Sequence, residues 1–205
     1  MSVNFKISSV DGTSDLFRME NNNINPEKGK VLIAEPFLEG RYFKRSIVLL
    51  AEFNEEGAVG FVLNKPINLS VDEVLVSIAH FDGDVFVGGP VDTNRIYYIH
   101  TLPHLIPNSI HIFDNLYWGG DFSVLKDLIE EKKVYPHQVR FFAGYSGWSA
   151  GQLNEEIKEN SWLVSQIDVR SIMSLNNDNL WEQSLRKLGG RYRMWSNFPE
   201  NPSMN

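Results

Sequence analysis

Phe141-Phe-Ala-Gly-Tyr-Ser-Gly-Trp-Ser-Ala-Gly-Gln-Leu-Asn-Glu-Glu-Ile157 reads, in order, as a strand, a glycine-rich turn and the start of a helix. Ser149 followed three residues later by Gln152 has the spacing of a capping box, in which hydroxyl and amide each satisfy a free N–H of the first helical turn. Trp148 before the cap and Leu153 after it are placed to form a hydrophobic staple, and Leu153 and Ile157 share one helical face. Gly144, Gly147 and Gly151 suit a tight strand-to-helix turn or a backbone that runs close to a ligand.

Upstream, Lys30-Val-Leu-Ile-Ala34 is a short apolar run closed by Pro36, and Arg45-Ser-Ile-Val-Leu-Leu-Ala51 is a second. Glu55-Glu-Gly57 turns the chain into Ala58-Val-Gly-Phe-Val-Leu63, which predicts an antiparallel hairpin stopped at Asn64-Lys-Pro66. Ser70 with Glu73 forms another capping-box pattern, and Val71, Val74, Leu75 and Ile78 recur at helical spacing. Strands are expected at 85–87, 96–99 and 110–113, a helix capped by Asp121, a strand at 162–164, and a last helix over about 179–188 ending at Gly189. Early hairpins with helices mostly later predict an α+β fold: a single domain with a largely antiparallel β-sheet and three to four packed helices. Residues 1–29 read as an N-terminal extension with a short docking helix around Leu16, Phe17 and Met19, residues 30–190 as the domain, and 191–205 as a polar C-terminal tail.

Composition excludes several functions. The 205 residues carry a net charge of −7, which opposes direct nucleic-acid binding through a broad basic face. There is no cysteine, so thiolate catalysis, disulfides and iron–sulfur clusters are absent. No apolar run approaches the ~20 residues that span a bilayer, and the N-terminus lacks the apolar core of a signal peptide. The expected setting is cytoplasmic, with no membrane association.

The chemical motifs were tested one by one. Gly144-Tyr-Ser146-Gly-Trp148 places its second glycine one residue too early for a nucleophile elbow, leaving Ser146 as a turn residue. Gly88-Gly89-Pro90 follows a strand but lacks the Lys-Ser/Thr of a phosphate loop, and reads as a tight turn or as a pocket-lining turn beside Arg95. His100 and His104 are separated by Pro103, against a helical ligand pair, so no metal and no cofactor is expected. Arg45 and Asn64 stand at strand ends, where polar groups often line pockets. Trp118, Trp148 and Trp195 lie near turns or the tail, where a half-exposed aromatic suits a partner surface.

The order of these motifs carries a resemblance. Gly29-Lys-Val-Leu-Ile-Ala-Glu-Pro36, Phe43-Lys-Arg-Ser-Ile-Val-Leu-Leu50, Glu56-Gly-Ala-Val-Gly-Phe-Val-Leu-Asn-Lys-Pro66, Val87-Gly-Gly-Pro-Val91 and Gly144-Tyr-Ser-Gly-Trp-Ser-Ala-Gly-Gln-Leu153 resemble the AlgH/YqgE family of bacterial proteins over about 29–190. The resemblance implies a single-domain cytosolic α+β protein. It also implies a link to gene expression, since some members carry a transcriptional-regulator label, although no basic recognition helix is visible here. The chain departs from the family at Glu39-Gly-Arg-Tyr42 and at Glu52-Phe-Asn54, where a histidine–asparagine pair is usual.

The resulting expectation is a non-catalytic binding or regulatory protein, recognising a protein partner or a small-molecule ligand. Its site is formed by Arg45, Ser46, Asn64, Gly88, Gly89, Pro90, Arg95, Tyr145, Trp148 and Gln152 brought together. The alternative is an enzyme acting on a small anionic or nucleotide-like ligand, with Arg45 or Arg95 clamping the anion and Ser46 or Ser146 as the polar group. A homodimer is compatible with either.

Overall fold

The computed structural model describes residues 24–75, 78, 81–175 and 179–198. The helix expected around Leu16 to Met19 lies outside these residues. Among the described residues ten strands form one sheet: β1 (Val31–Ala34), β2 (Ile47–Asn54), β3 (Gly57–Val62), β4 (Pro66–Ser70), β5 (Asp84–Val87), β6 (Val91–His100), β7 (Ile110–Phe113), β8 (Leu116–Trp118), β9 (Val139–Ser149) and β10 (Trp162–Ser165). The order is β10-β1-β2-β3-β9-β6-β8-β7, with β5 parallel to β9 and β4 beside β5; every other pairing is antiparallel.

Strand alternation divides the core cleanly. Val31 and Ile33, Ile47 and Leu49, Phe61 and Leu63, Phe86, Ile99, Phe142 and Leu163 point to one face. That face is covered by α4 (Val169–Ile172), α5 (Leu180–Leu188) and α6 (Gly190–Trp195), through Ile172, Trp181, Leu185 and Trp195. The opposite residues form two clusters. One is capped by α1 (Val71–Val74) and α2 (Phe122–Glu130), the other by α3 (Gln152–Lys158). Asp121 caps α2 by accepting from the N–H groups of Ser123 and Val124.

Several local expectations are corrected. The predicted turn at Gly144–Trp148 is strand: β9 runs on to Ser149, and Gly60 pairs with Ser146 and Ala58 with Trp148. The cause is a change of partner, because β5 lines one edge of β9 as far as Ala143 and β3 takes over that edge from Ser146. Gly144 adopts φ 71, which only a glycine takes without strain, and shifts the pleat so that Tyr145 packs on the same face as Phe142. The helix accordingly starts later, at Gln152 behind Gly151, although Gln152 still accepts from the Ser149 N–H at 3.0 Å. The β2–β3 hairpin does stop before Asn64-Lys-Pro66, and Pro66 opens β4, which pairs with β5, so its missing N–H is tolerated at an edge.

The helix from Val71 stops at Val74, short of the expected Ile78, despite Glu73 accepting from both the N–H and the hydroxyl of Ser70. The stretch from 191, expected as a polar tail, is helical through Trp195, which is buried on the α5 side of the sheet. Phe198 stacks on Phe37, its ring centroid 5.6 Å away.

The fork in the sheet is backbone packed on backbone. A Cβ on Gly88 would lie 2.0 Å from the carbonyl oxygen of Gly144, and one on Gly89 2.3 Å from the carbonyl carbon of Tyr145. Gly89→Ala is therefore expected to destabilise the fold by about 2–4 kcal/mol, as overpacking against atoms that cannot rotate away. Urea unfolding followed by tryptophan fluorescence measures this; a loss below about 0.5 kcal/mol would mean the two strands separate easily.

Candidate functional site

The ten expected site residues fall into three places. Arg45 and Asn64 form the first. Asn64 accepts from the N–H of Ile47 and donates to the carbonyl of Arg45, both at 2.8 Å, fastening the ends of β2 and β3 together. The Arg45 guanidinium donates to the carbonyl of Phe198 and lies 5.0 Å from the ring centroid of Trp181. Ser46 is fully buried. Arg45 thereby ties Trp181 of α5 and the chain at Phe198 to the sheet.

The second place is the fork. The Gly88 carbonyl accepts from the Val62 N–H and from the Ser146 hydroxyl, each at 3.0 Å, and Ser146 is fully buried. Pro90 is exposed. Next to this junction β6 carries an irregularity: Val91 pairs with Tyr145 but Ile96 with Ala143, so Asp92 to Arg95 bulge out of the ladder. Asp92 accepts from the Tyr97 hydroxyl at 3.2 Å, with Arg95 3.8 Å away. Burial and the Asp92 carboxylate both push the Tyr97 pKa up, keeping the phenol protonated and donating.

Tyr145 belongs here. With Val59, Phe61, Tyr97 and Trp118 it lines a concavity of about 230 Å³. Phe61 is buried and the other four are half-buried. The rings of Tyr97 and Tyr145 meet at 75° with centroids 5.4 Å apart, and Phe61 lies 6.1 Å from Tyr97 and 5.9 Å from Trp118.

Trp148 and Gln152 occupy the third place, across the sheet, where Trp148 packs with Leu153 and Trp162 while Tyr145 packs with Phe61 and Phe142. Glu156 accepts from the indole N–H groups of Trp148 and Trp162, both at 2.8 Å, and from the Gln152 amide at 3.0 Å. The expected convergence of all ten residues is therefore corrected: strand parity separates Tyr145 from Trp148. Of the tryptophans expected at a partner surface, Trp148 and Trp195 are buried and Trp118 is half-exposed.

Sequence reasoning missed Asp92 and Tyr97. The signal was present in Asp92-Thr-Asn-Arg95, a polar interruption directly ahead of Ile96-Tyr-Tyr-Ile99. It also missed Arg140, which is 3% exposed. Its guanidinium donates to the carbonyls of Leu63, at 2.7 Å, and Ile172, and sits 4.0 Å from the Phe86 ring centroid. Burial pushes its pKa down to about 9, with Asp84 opposing that, so it remains a cation at neutral pH.

His100, one of the five histidines weighed as metal ligands, is fully buried. Its Nδ1 accepts from the Leu102 N–H and its Nε2 donates to the Gly119 carbonyl, each at 3.1 Å. Burial pushes its pKa down to about 4. His104 and His111 are exposed.

A largely antiparallel sheet with helices on both faces, forked at a glycine junction and leaving a ring-lined concavity on one face, defines an α+β protein. Residues 31–193 match the family described as AlgH-like, and the chain belongs to that family. It is 44% identical over 193 residues to a UPF0301 protein of Parabacteroides distasonis, covering 93% of this chain and 98% of the relative. A UPF0301 protein of Bacteroides thetaiotaomicron is 40% identical over 193 residues, with 94% and 98% covered. Among solved structures, the AlgH protein of Pseudomonas aeruginosa superposes with a TM-score of 0.66 at 28% identity, over 84% of this chain and 94% of that one. Protein DIP2367 of Corynebacterium diphtheriae gives 0.71 at 24% identity, over 89% and 97%, which speaks to the fold alone.

The neutral His100 makes stability pH-dependent. An unfolded histidine titrates near 6.5, so its stabilising effect is fully present above that pH and is lost as pH falls toward about 4, up to about 3 kcal/mol in all. Urea unfolding at pH 7 and pH 4 should show this extra loss in the parent protein but not in His100→Gln. Equal slopes would place the proton uptake elsewhere.

Proposed function

We propose that the protein is a cytosolic, non-catalytic binding protein whose ligand seats on the concavity formed by Val59, Phe61, Tyr97, Trp118 and Tyr145. The observation that carries this reading is the concavity itself: aromatic rings left half-exposed on the face that elsewhere packs under α4–α6. Among the described residues its lining comes from β3, β6, β8 and β9 and from no helix. Small-molecule sites are mostly apolar with a few placed polar groups, and the Tyr97–Asp92 pair with Arg95 supplies those at the rim. Three of the four chemical candidates of the enzymatic alternative, Ser46, Ser146 and Arg45, are buried or engaged elsewhere. Ser46 and Ser146 are fully buried, Ser146 is bonded to Gly88, and Arg45 is engaged by Phe198 and Trp181.

The test is a thermal-shift screen against small molecules, followed by NMR of each stabilising compound after prolonged incubation. A ligand at one hundred times its Kd adds about 2.7 kcal/mol to stability. The expected outcome is a shift that Tyr145→Ala abolishes and Ser146→Ala leaves in place, with the compound recovered chemically unchanged. Conversion of the compound at a rate lowered by Ser146→Ala or Arg45→Ala would overturn the reading in favour of an enzyme.

A further inference from the structure

The geometry points to an aromatic cage for a quaternary ammonium group, held by the rings of Tyr97, Trp118 and Tyr145 over Phe61. This names the ligand class of the concavity and rests on the binding reading above. Four features carry it.

The first is the choice of rings. Tyrosine and tryptophan present electron-rich faces, which attract a cation within about 6 Å of the ring centroid, and a tetraalkylated ammonium meets them without losing hydrogen bonds because it has none to give. The second is arrangement. Tyr97 and Tyr145 meet edge to face at 75°, and Phe61 lies tilted 6.1 Å from Tyr97 and 5.9 Å from Trp118, so the rings lining the concavity present differently inclined faces instead of a single stacking platform. A planar ring would ask for parallel faces.

The third is size and polarity. At about 230 Å³ the space is smaller than the roughly 300–1,000 Å³ of drug-sized sites and suits one compact head group, and Val59 adds an apolar wall. The fourth is charge. Asp92 holds the Tyr97 hydroxyl as donor at 3.2 Å, bringing a carboxylate to the rim, and the chain as a whole carries −7, which favours encounter with a cation. Arg95 also stands at the rim, but its side chain is 73% exposed and paired with Asp92 at 3.8 Å, so it extends into solvent.

Gly147 fits the same purpose. It pairs with Val59 one residue beyond the fork, and a Cβ there would come within 3.2 Å of the Tyr145 ring. A side chain at 147 would press on that ring and close the cage.

The test is titration of the full chain with choline, with Nε-trimethyl-lysine, and with 3,3-dimethylbutan-1-ol, the uncharged isostere of choline. It is followed by NMR of the Trp118 indole and the tyrosine rings and by calorimetry. The expected result is that choline or trimethyl-lysine binds at least about tenfold tighter than the isostere, with Trp118 and Tyr145 resonances moving. Whichever of the two binds tighter tells a free metabolite from a modified side chain. Tyr145→Ala should weaken binding about tenfold and Tyr145→Phe by much less, while far-ultraviolet circular dichroism confirms that both fold.

If the neutral isostere binds as well as choline, the concavity takes apolar groups in general: the ammonium assignment falls and the binding reading stands. If none of the three moves those resonances, the ammonium assignment falls too. The binding reading then falls only if the wider screen also leaves Tyr145 unmoved.

Discussion

β9 changes its partner halfway along one edge, and the fold depends on that exchange. Up to Ala143 the edge is held by β5, and from Ser146 by β3. Two strands cannot occupy one edge unless the chain leaving the first passes directly over the second. Gly88 and Gly89 make that passage with no side chain between backbones, and the Gly88 carbonyl is satisfied from both sides, by the Val62 N–H and the Ser146 hydroxyl. The Ser146 hydroxyl, fully buried and committed to that carbonyl, serves the junction.

Arg140 closes the same gap from beneath. One guanidinium donates both to the Leu63 carbonyl just past the end of β3 and to the Ile172 carbonyl at the end of α4. Carbonyl dipoles and the face of Phe86 surround its charge, with Asp84 stabilising it from further off. Such a group is costly to desolvate, and its two bonds tie α4 to the end of β3.

The sequence made much of this legible. Short apolar runs ended by Pro36 and by Glu55-Glu-Gly57 identified β1 to β3 and their hairpin, and Asp121 and Gly189 marked helix ends where the structure has them. The fork was not legible, because a glycine-rich Gly144-Tyr-Ser-Gly-Trp148 looks the same whether its glycines turn a chain or let another backbone cross it. Only the pairing partner distinguishes the two, and Gly57, Gly60, Gly88 and Gly89 lie more than fifty residues upstream. The site was half legible for a related reason. Tyr145, Arg95 and Trp118 were visible as polar or aromatic residues near turns, but the face that Tyr145 would occupy turned on the φ of Gly144, a conformation that periodicity cannot report.

That single dihedral also decides what kind of surface results. With an unbroken pleat Tyr145 would lie opposite Phe142, on the side of α2 and α3, and Trp148 would lie on the side now occupied by Tyr97. The shift at Gly144 instead sends Trp148 inward to share the Glu156 carboxylate with Trp162, and leaves Tyr145 beyond the reach of α4–α6, beside a bulge that carries Asp92 and Arg95. Glycines that look in the sequence like a ligand-binding turn thus act one step earlier: they fix the sheet, and the sheet then presents the half-buried rings of Tyr97, Trp118 and Tyr145. An aromatic surface held by backbone packing has little freedom to rearrange, which favours recognition of a small rigid group over adaptation to a large partner.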